Sequence, residues 1–233
     1  MVSPEEKMEL MTGEQIPHSE RIREQPGCIF DAAEGSALMH ACSASGAWGK
    51  GIALDFRKNF PKQYREYRAH CMNLEKSRQM HDIPNLNPKG PRKISVPLPI
   101  GTALIIAPQY SSTVRSRRKK DYWLICLFTS TDYGLRVDSP DTIINNTAAA
   151  LNDLKSQLWR LAGGTAPHQI YSCRMNSGLF NVPWERTRAL LEEIPVPLKI
   201  TVAYKPPIGG QQNNSAEASN SKQKSKISFG IMA

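Results

Sequence analysis

"ALMHACSASGAWGKGIALDF" (residues 37–56) decides the fold. Its first six residues, 37–42, are an apolar run bounded by Gly35 and Ser36, which predicts a short buried strand. Small residues and the glycines Gly46, Gly49 and Gly51 follow, with Trp48 and Lys50 among them. Ile52, Phe56 and Phe60 then recur at helical spacing, and Pro61 is placed to open a second helix, "PKQYREYRAHCM". A strand end, a glycine turn and a helix start bring backbone N–H groups and a positive dipole end to one point, which suits an anion. The same residues also suit a plain tight turn in which glycine supplies positive φ.

The rest of the chain extends the pattern. "TALIIAP" and "YWLICLFT" read as strands. "DSPDTIINNTAAALNDLKSQLWRLAGG" is the clearest helix: Ser139 caps it, Pro140 fits its first turn, and Asp141 suits its positive end. Ile144, Ala148, Leu151, Leu154, Leu158 and Leu161 make its apolar face, and Gly163-Gly164 end it. "HQIYSCRM" is a strand, "VPWERTRALLEEI" a helix with Pro183 in its first turn, and "LKITVAY" a last strand. Residues 73–99 carry several prolines and little periodicity and read as a long loop. Strands alternating with helices predict an α/β domain whose sheet is covered by helices.

The glycine stretch fits no standard phosphate motif. Against G-x-x-x-x-G-K-[ST], Ala44 replaces the first glycine and Gly51 the hydroxyl residue. Against G-x-G-x-x-G, Leu54 replaces the third glycine. Cys71 and Arg78 are one residue too far apart for a cysteine-phosphatase loop, and no spacing of Cys and His supports a metal site. A second stretch is more telling. "MNSGLFNVPWERTRALLEE" (175–193) repeats the plan of strand, polar glycine turn, aromatic and helix. Two such turns at strand C-terminal ends of one open sheet face a common crevice.

Together, "ALMHACSASGAWGKGIALDFRKNFPKQYREY" and "NSGLFNVPWERTRALLEE" resemble the macrodomains, and among them the fungal ADP-ribose 1''-phosphate phosphatase family. The resemblance covers about residues 27–204. It rests on H-x-C-x-x-x-G-x-W-G-x-G-I-A paired with N-S-G-[IL]-F-x-V-P-W. It implies a three-layer α/β/α macrodomain with a central mixed sheet and no cofactor. Its ligand would be ADP-ribose or the 1''-phosphate of ADP-ribose. By this resemblance Gly27, Cys28 and Ile29 contact adenine, and Tyr204 stacks on it. Ala41, Cys42 and Ser43 lie beside the distal ribose. Trp48, Gly49, Lys50, Gly51, Ile52 and Ala53 wrap that ribose and its phosphate. Asn176, Ser177, Gly178, Leu179, Phe180, Asn181 and Val182 hold the diphosphate, with Phe180 packed on the distal ribose.

The chain departs from the pattern in places. Cys28 stands where many macrodomains carry Asp, Ser43 where many carry Asn, and Asn181 where Gly is common. A sister branch removes ADP-ribose from protein glutamates with a Lys and an Asp; the matching positions here are Ser130 and Phe180, so the resemblance implies that this chemistry is absent.

His40 ends the strand before the first turn. Two readings stand: a core histidine satisfied by its neighbours, or the group that moves a proton for a water attacking the 1''-phosphate. Lys50 is either a solvated loop lysine or a cation that neutralises the phosphate oxygens.

The whole chain has 233 residues and a formal net charge of +9, which favours anionic partners. Its five scattered cysteines include no C-x-x-C, which predicts reduced thiols and a cytoplasmic or nuclear setting. No apolar run reaches ~18 residues, so no membrane span is expected, and the charged start resembles no targeting segment. Residues 1–24 read as a flexible lead-in, 25–207 as the domain and 208–233 as a disordered tail. "RSRRKK" (115–120) is a solvated hairpin loop or a nucleic-acid patch, and the first is favoured because no aromatic interleaves it. The expected function is hydrolysis of ADP-ribose 1''-phosphate, a tRNA-splicing by-product, by a monomer. The alternatives are an ADP-ribose-binding module without turnover and a nucleic-acid-associated protein.

Overall fold

The computed structural model describes residues 21–77, 81–83, 94–96, 99–109, 121–161 and 165–206. The basic stretch 115–120, the tail 208–233 and most of the lead-in lie outside these residues.

A six-stranded sheet runs in the order β1-β8-β7-β2-β6-β5. Its strands are β1 (Ile22–Pro26), β2 (Ala37–Ser43), β5 (Ala103–Ile106), β6 (Trp123–Ser130), β7 (Ile170–Cys173) and β8 (Ile200–Tyr204). All neighbours pair in parallel except β5 with β6, so the sheet is mixed as expected. β3 (His81–Ile83) and β4 (Ile94–Val96) form a separate antiparallel ribbon within the segment read as a loop. Short strands flanked by prolines gave that ribbon little periodicity to read.

Both sheet faces are covered, which explains why β6 is buried at all eight positions and shows no polar alternation. Trp123, Ile125 and Leu127 point to one side, with Leu151, Leu154 and Leu158 of α3 (Pro140–Leu161) and Leu191 of α4 (Trp184–Glu193). Leu124, Cys126 and Phe128 point to the other, with Phe56 of α1 (Gly51–Asn59) and Phe60, Tyr64 and Tyr67, the last two on α2 (Pro61–Ser77). These two cores make the three layers.

Sequence and structure agree closely along α3. The Ser139 hydroxyl accepts from the Thr142 N–H at 3.2 Å, capping the helix. The buried face is rotated slightly at its start: Ile143 and Thr147 face the core where Ile144 and Ala148 were expected. Pro183 proves to be the cap of α4 rather than its first turn. The lead-in boundary also moves. Residues 22–24 belong to β1, which pairs with β8 from Ile22↔Ile200 to Pro26↔Tyr204, so a boundary at 25 falls inside a strand. An edge strand of "IREQP" has too little apolar content to be seen by pattern alone.

Candidate active site

β2 and β7 are adjacent and parallel, so the loops that leave them face each other above the sheet. Between them lies a cavity of about 460 Å³. Of the residues that the resemblance implies for the ligand, Ala41, Cys42, Ser43, residues 48–53 and residues 176–180 line it.

The first loop, 44–50, is held from beneath by packing. Trp48 is 1% exposed and stacks on Tyr67 at 4.8 Å, while its edge meets His40 at 5.1 Å. The Tyr67 hydroxyl donates to the Ser43 carbonyl at 2.7 Å, tying α2 to the end of β2. The loop then enters α1 with Lys50 at the cap position and Gly51 at φ 57°. That φ favours glycine, and a Cβ on Gly51 would also lie 3.4 Å from Leu179 of the second loop.

The second loop, 174–183, is held by hydrogen bonds. Asn176 is 5% exposed and sits at φ 63°. Its carboxamide oxygen accepts from the Thr129 hydroxyl at 2.9 Å. Its NH₂ donates to Thr147 Oγ1 at 3.0 Å and Thr187 Oγ1 at 3.2 Å. Asn176 reaches the cavity wall, but its amide fastens the loop to β6, α3 and α4. Asn181, at φ 52°, explains one departure from the family pattern: asparagine tolerates the left-handed backbone that glycine would otherwise supply. Its side chain is exposed and does not line the cavity, and Val182 is buried beneath the loop at 1% exposure.

His40 is 0% exposed and lines no part of the cavity. Its ring stacks on Phe56 at 4.0 Å and lies across β2–β6 from Cys126. Sealed under Trp48 and Phe56, the ring packs as part of the core, which favours the structural reading. Cys42 and Cys126 share the spot; the three ligand atoms lie within 4.8 Å of one another. Burial, and then the hydrogen bond with Cys126, push the Cys42 thiol up. For Cys126 burial acts upward, but hydrogen bonds with Cys42 and His40 outweigh it and lower the thiol. The Cys42 sulfur is 3.6 Å from His40 Nδ1 and 3.5 Å from Nε2. A sulfur equidistant from both nitrogens lies off the in-plane lone pair of either, so the cluster packs as core and is not arranged as a metal centre.

The residues that the resemblance implies for adenine, Gly27, Cys28, Ile29 and Tyr204, do not line the cavity. The C-terminal ends of β7, β8 and β1 carry Arg174, Tyr204 and Gly27–Cys28, in that order away from β2. The Gly27 N–H donates to the Tyr204 carbonyl at 3.0 Å, Cys28 is exposed, and Ile29 is a core residue at 3% exposure. The Arg174 guanidinium covers the Tyr204 ring at 4.1 Å and pairs with Glu24 at 2.9 Å. Glu24 also accepts from Trp184 Nε1 at 3.1 Å. Partial burial works against the Glu24 charge, yet the bonds from Trp184 and Arg174 hold its carboxyl below the usual value.

Five lining residues escaped the sequence reading: Ala47, Tyr133, Cys173, Arg174 and Met175. Cys173, Arg174 and Met175 sit directly before the second motif, and Tyr133 sits three residues beyond the end of β6. The rule that crevice loops follow strand C-terminal ends would have found Tyr133. Burial pushes the Cys173 thiol up to about 12, so it is a neutral wall. Among the described lining residues two are cationic, Lys50 and Arg174, and none is a carboxylate or an imidazole. Such a lining suits an anion. With the two glycine loops and the start of α1 beside it, the lining has the chemistry that a phosphate calls for.

No family model matches the chain. Among solved structures, the macrodomain of Mycobacterium tuberculosis DarG matches 80% of this chain and 97% of its own, at 16% identity and TM-score 0.52. Thermosipho africanus DarTG, solved in complex with ADP-ribose, matches 84% of this chain and 45% of its own, at 14% identity and TM-score 0.57. These likenesses establish the macrodomain fold. Sequence relatives are nearer. The ADP-ribose 1''-phosphate phosphatase of Neosartorya fischeri is 41% identical over 198 residues, 82% of this chain and 96% of that protein. That of Aspergillus clavatus is 42% identical over 189 residues, 78% of this chain and 93% of that protein. A match of this depth across nearly the whole of each relative means that the chain belongs to the fungal ADP-ribose 1''-phosphate phosphatase family.

Proposed function

We propose that the chain hydrolyses ADP-ribose 1''-phosphate to ADP-ribose and inorganic phosphate. One observation carries this reading beyond the family name. The cleft joins two glycine loops on adjacent parallel strands, carries Lys50 and Arg174, and has no anionic lining side chain among the described residues. The loop amides and the start of α4 hold the diphosphate. Lys50 and the start of α1 neutralise the terminal phosphoryl oxygens. A water attacks phosphorus in line, the bond from phosphorus to the C1'' oxygen breaks, and that oxygen leaves as the sugar hydroxyl. The transition state of such a transfer is loose, so charge neutralisation and alignment matter more than a strong base.

Phosphate release from ADP-ribose 1''-phosphate is the test. The same cleft also favours a second reading, an ADP-ribose-binding module, because no imidazole or carboxylate lines it. Binding of ADP-ribose without phosphate release would select that module. Gly178→Glu tests the cleft itself. A Cβ on Gly178 meets nothing within 4 Å, so the variant should fold while its carboxylate repels the diphosphate and abolishes binding. Unaltered binding would show that the ligand lies elsewhere. On the leading reading the substrate is the by-product of tRNA splicing, met in the cytoplasm or nucleus. Accumulation of the phosphorylated metabolite in cells lacking the protein tests that assignment.

A further inference from the structure

Three strand ends, not two, face the cavity. β6 lies beside β2 on the side away from β7, and the loop after it, 131–139, brings Tyr133 into the lining. This turn is braced from within. The Thr131 N–H donates to Asp138 Oδ2 at 2.7 Å, and the Ser130 hydroxyl donates to the Asp132 carbonyl at 2.7 Å. The Tyr133 N–H donates to Asp132 Oδ1 at 2.9 Å, and Arg136 pairs with Asp132 at 2.6 Å. The phenol is therefore held in place rather than left on a loose loop. Its oxygen would lie 3.5 Å from a Cβ built on Gly49, which puts it beside the amides at the start of α1.

The lining hydroxyls differ in what they already do. Ser43 Oγ bonds Ser45 Oγ at 2.7 Å, and Ser177 Oγ donates to the Arg174 carbonyl at 2.6 Å. The Tyr133 hydroxyl bonds to none of the described residues, and it has a donor to offer a ligand. Its position along the sheet says which part of the ligand it meets. From one edge, the strand ends carry Gly27–Cys28, Tyr204, Arg174 with the second loop, the first loop, and then Tyr133. A ligand that spans from a base at the Tyr204 end to a diphosphate between the two loops brings its far terminus to Tyr133.

We propose that the Tyr133 hydroxyl donates to the terminal phosphate and sets the preference for 1''-phosphorylated over unphosphorylated ADP-ribose. This rests on the substrate reading above. The hydroxyl is placed to reach a phosphate seated on the Gly49–Gly51 amides, whereas ADP-ribose offers it only the neutral C1'' hydroxyl, a weaker acceptor. A hydrogen bond to a charged group is strong enough to matter for affinity and for turnover.

Tyr133→Phe is the test, because it keeps the ring that walls the cavity and removes only the donor. Three readings are taken on one folded preparation: the ADP-ribose dissociation constant, the ADP-ribose 1''-phosphate dissociation constant at early times, and kcat/KM for phosphate release. The proposal expects the phosphorylated ligand to bind about 10- to 100-fold more weakly and kcat/KM to fall in step. ADP-ribose affinity should stay within about two-fold. Equal weakening of both ligands would assign Tyr133 a structural role and overturn the proposal, as would no change in either. The binding reading survives if the wild type proves not to turn over. A wild type that binds neither ligand would instead overturn the substrate reading itself.

Discussion

The two glycine loops that form the cleft are built on opposite physics. The first rests on a stack of rings, His40, Trp48, Phe56, Tyr64 and Tyr67, with centroid spacings from 4.0 to 6.3 Å. Its support is apolar area, which is non-directional and sums over many contacts. The second rests on one amide, Asn176, bonded to three threonine hydroxyls. Its support is directional, and every member of that network depends on the others. Both loops line the cavity. The first tolerates some loss of shape before it moves; the second should fail all at once when a member is removed.

The largest effect should come from Trp48→Ala. Removing a large side chain that is 1% exposed should cost about 3–5 kcal/mol in chemical denaturation. A cost below about 1 kcal/mol would show that the ring stack does not carry the first loop. His40→Ala comes next and separates core from chemistry. It should lower the unfolding midpoint, yet leave kcat per folded molecule nearly unchanged. A large fall in kcat at full folding, with ADP-ribose binding intact, would return His40 to the mechanism. Asn176→Ala should cost about 1–3 kcal/mol, since it takes the acceptor from the buried Thr129 hydroxyl, removes the donor to Thr147 and Thr187, and places alanine at φ 63°. Its sharper signature is faster amide exchange across 177–182 with little change across 44–50. Equal exchange in both loops would mean that they are braced as one unit. Asn181→Gly should do least, within about 0.5 kcal/mol and with affinity unaltered, because glycine accepts φ 52° and the asparagine side chain is outside the lining.

The contrast also explains what could be read in the sequence. The ring stack and the strands are written as apolar periodicity, so "ALMHAC", "YWLICLFT" and the long helix α3 were visible without a structure. The glycine loops were visible because positive φ and close backbone approach demand particular residues. The roles of single polar side chains were not. Asn176 looks the same in sequence whether it meets a ligand or three threonines, and those threonines sit at 129, 147 and 187. His40 looks the same whether it faces the cleft or the opposite end of its own pleat. Tyr133 lies in a turn with no motif, and only the order of strands in the sheet puts it near Gly49. β1 was missed for a related reason: its place comes from pairing with β8, far away in sequence.

That first strand has a practical consequence for anyone attaching a probe. β1 and β8 are parallel neighbours, with Ile22 level with Ile200 and Pro26 level with Tyr204. The chain therefore enters the sheet on the floor of the domain and leaves it on the roof, where the strand ends open toward the cleft. The two points of attachment are separated by one strand length, roughly 17 Å at ~3.3 Å per residue. A dye, a surface tether or a fused reporter attached at residue 21 starts at the strand end away from the cleft. The same group joined after Lys205 starts beside Tyr204 and Arg174, at the strand ends from which the cleft loops leave.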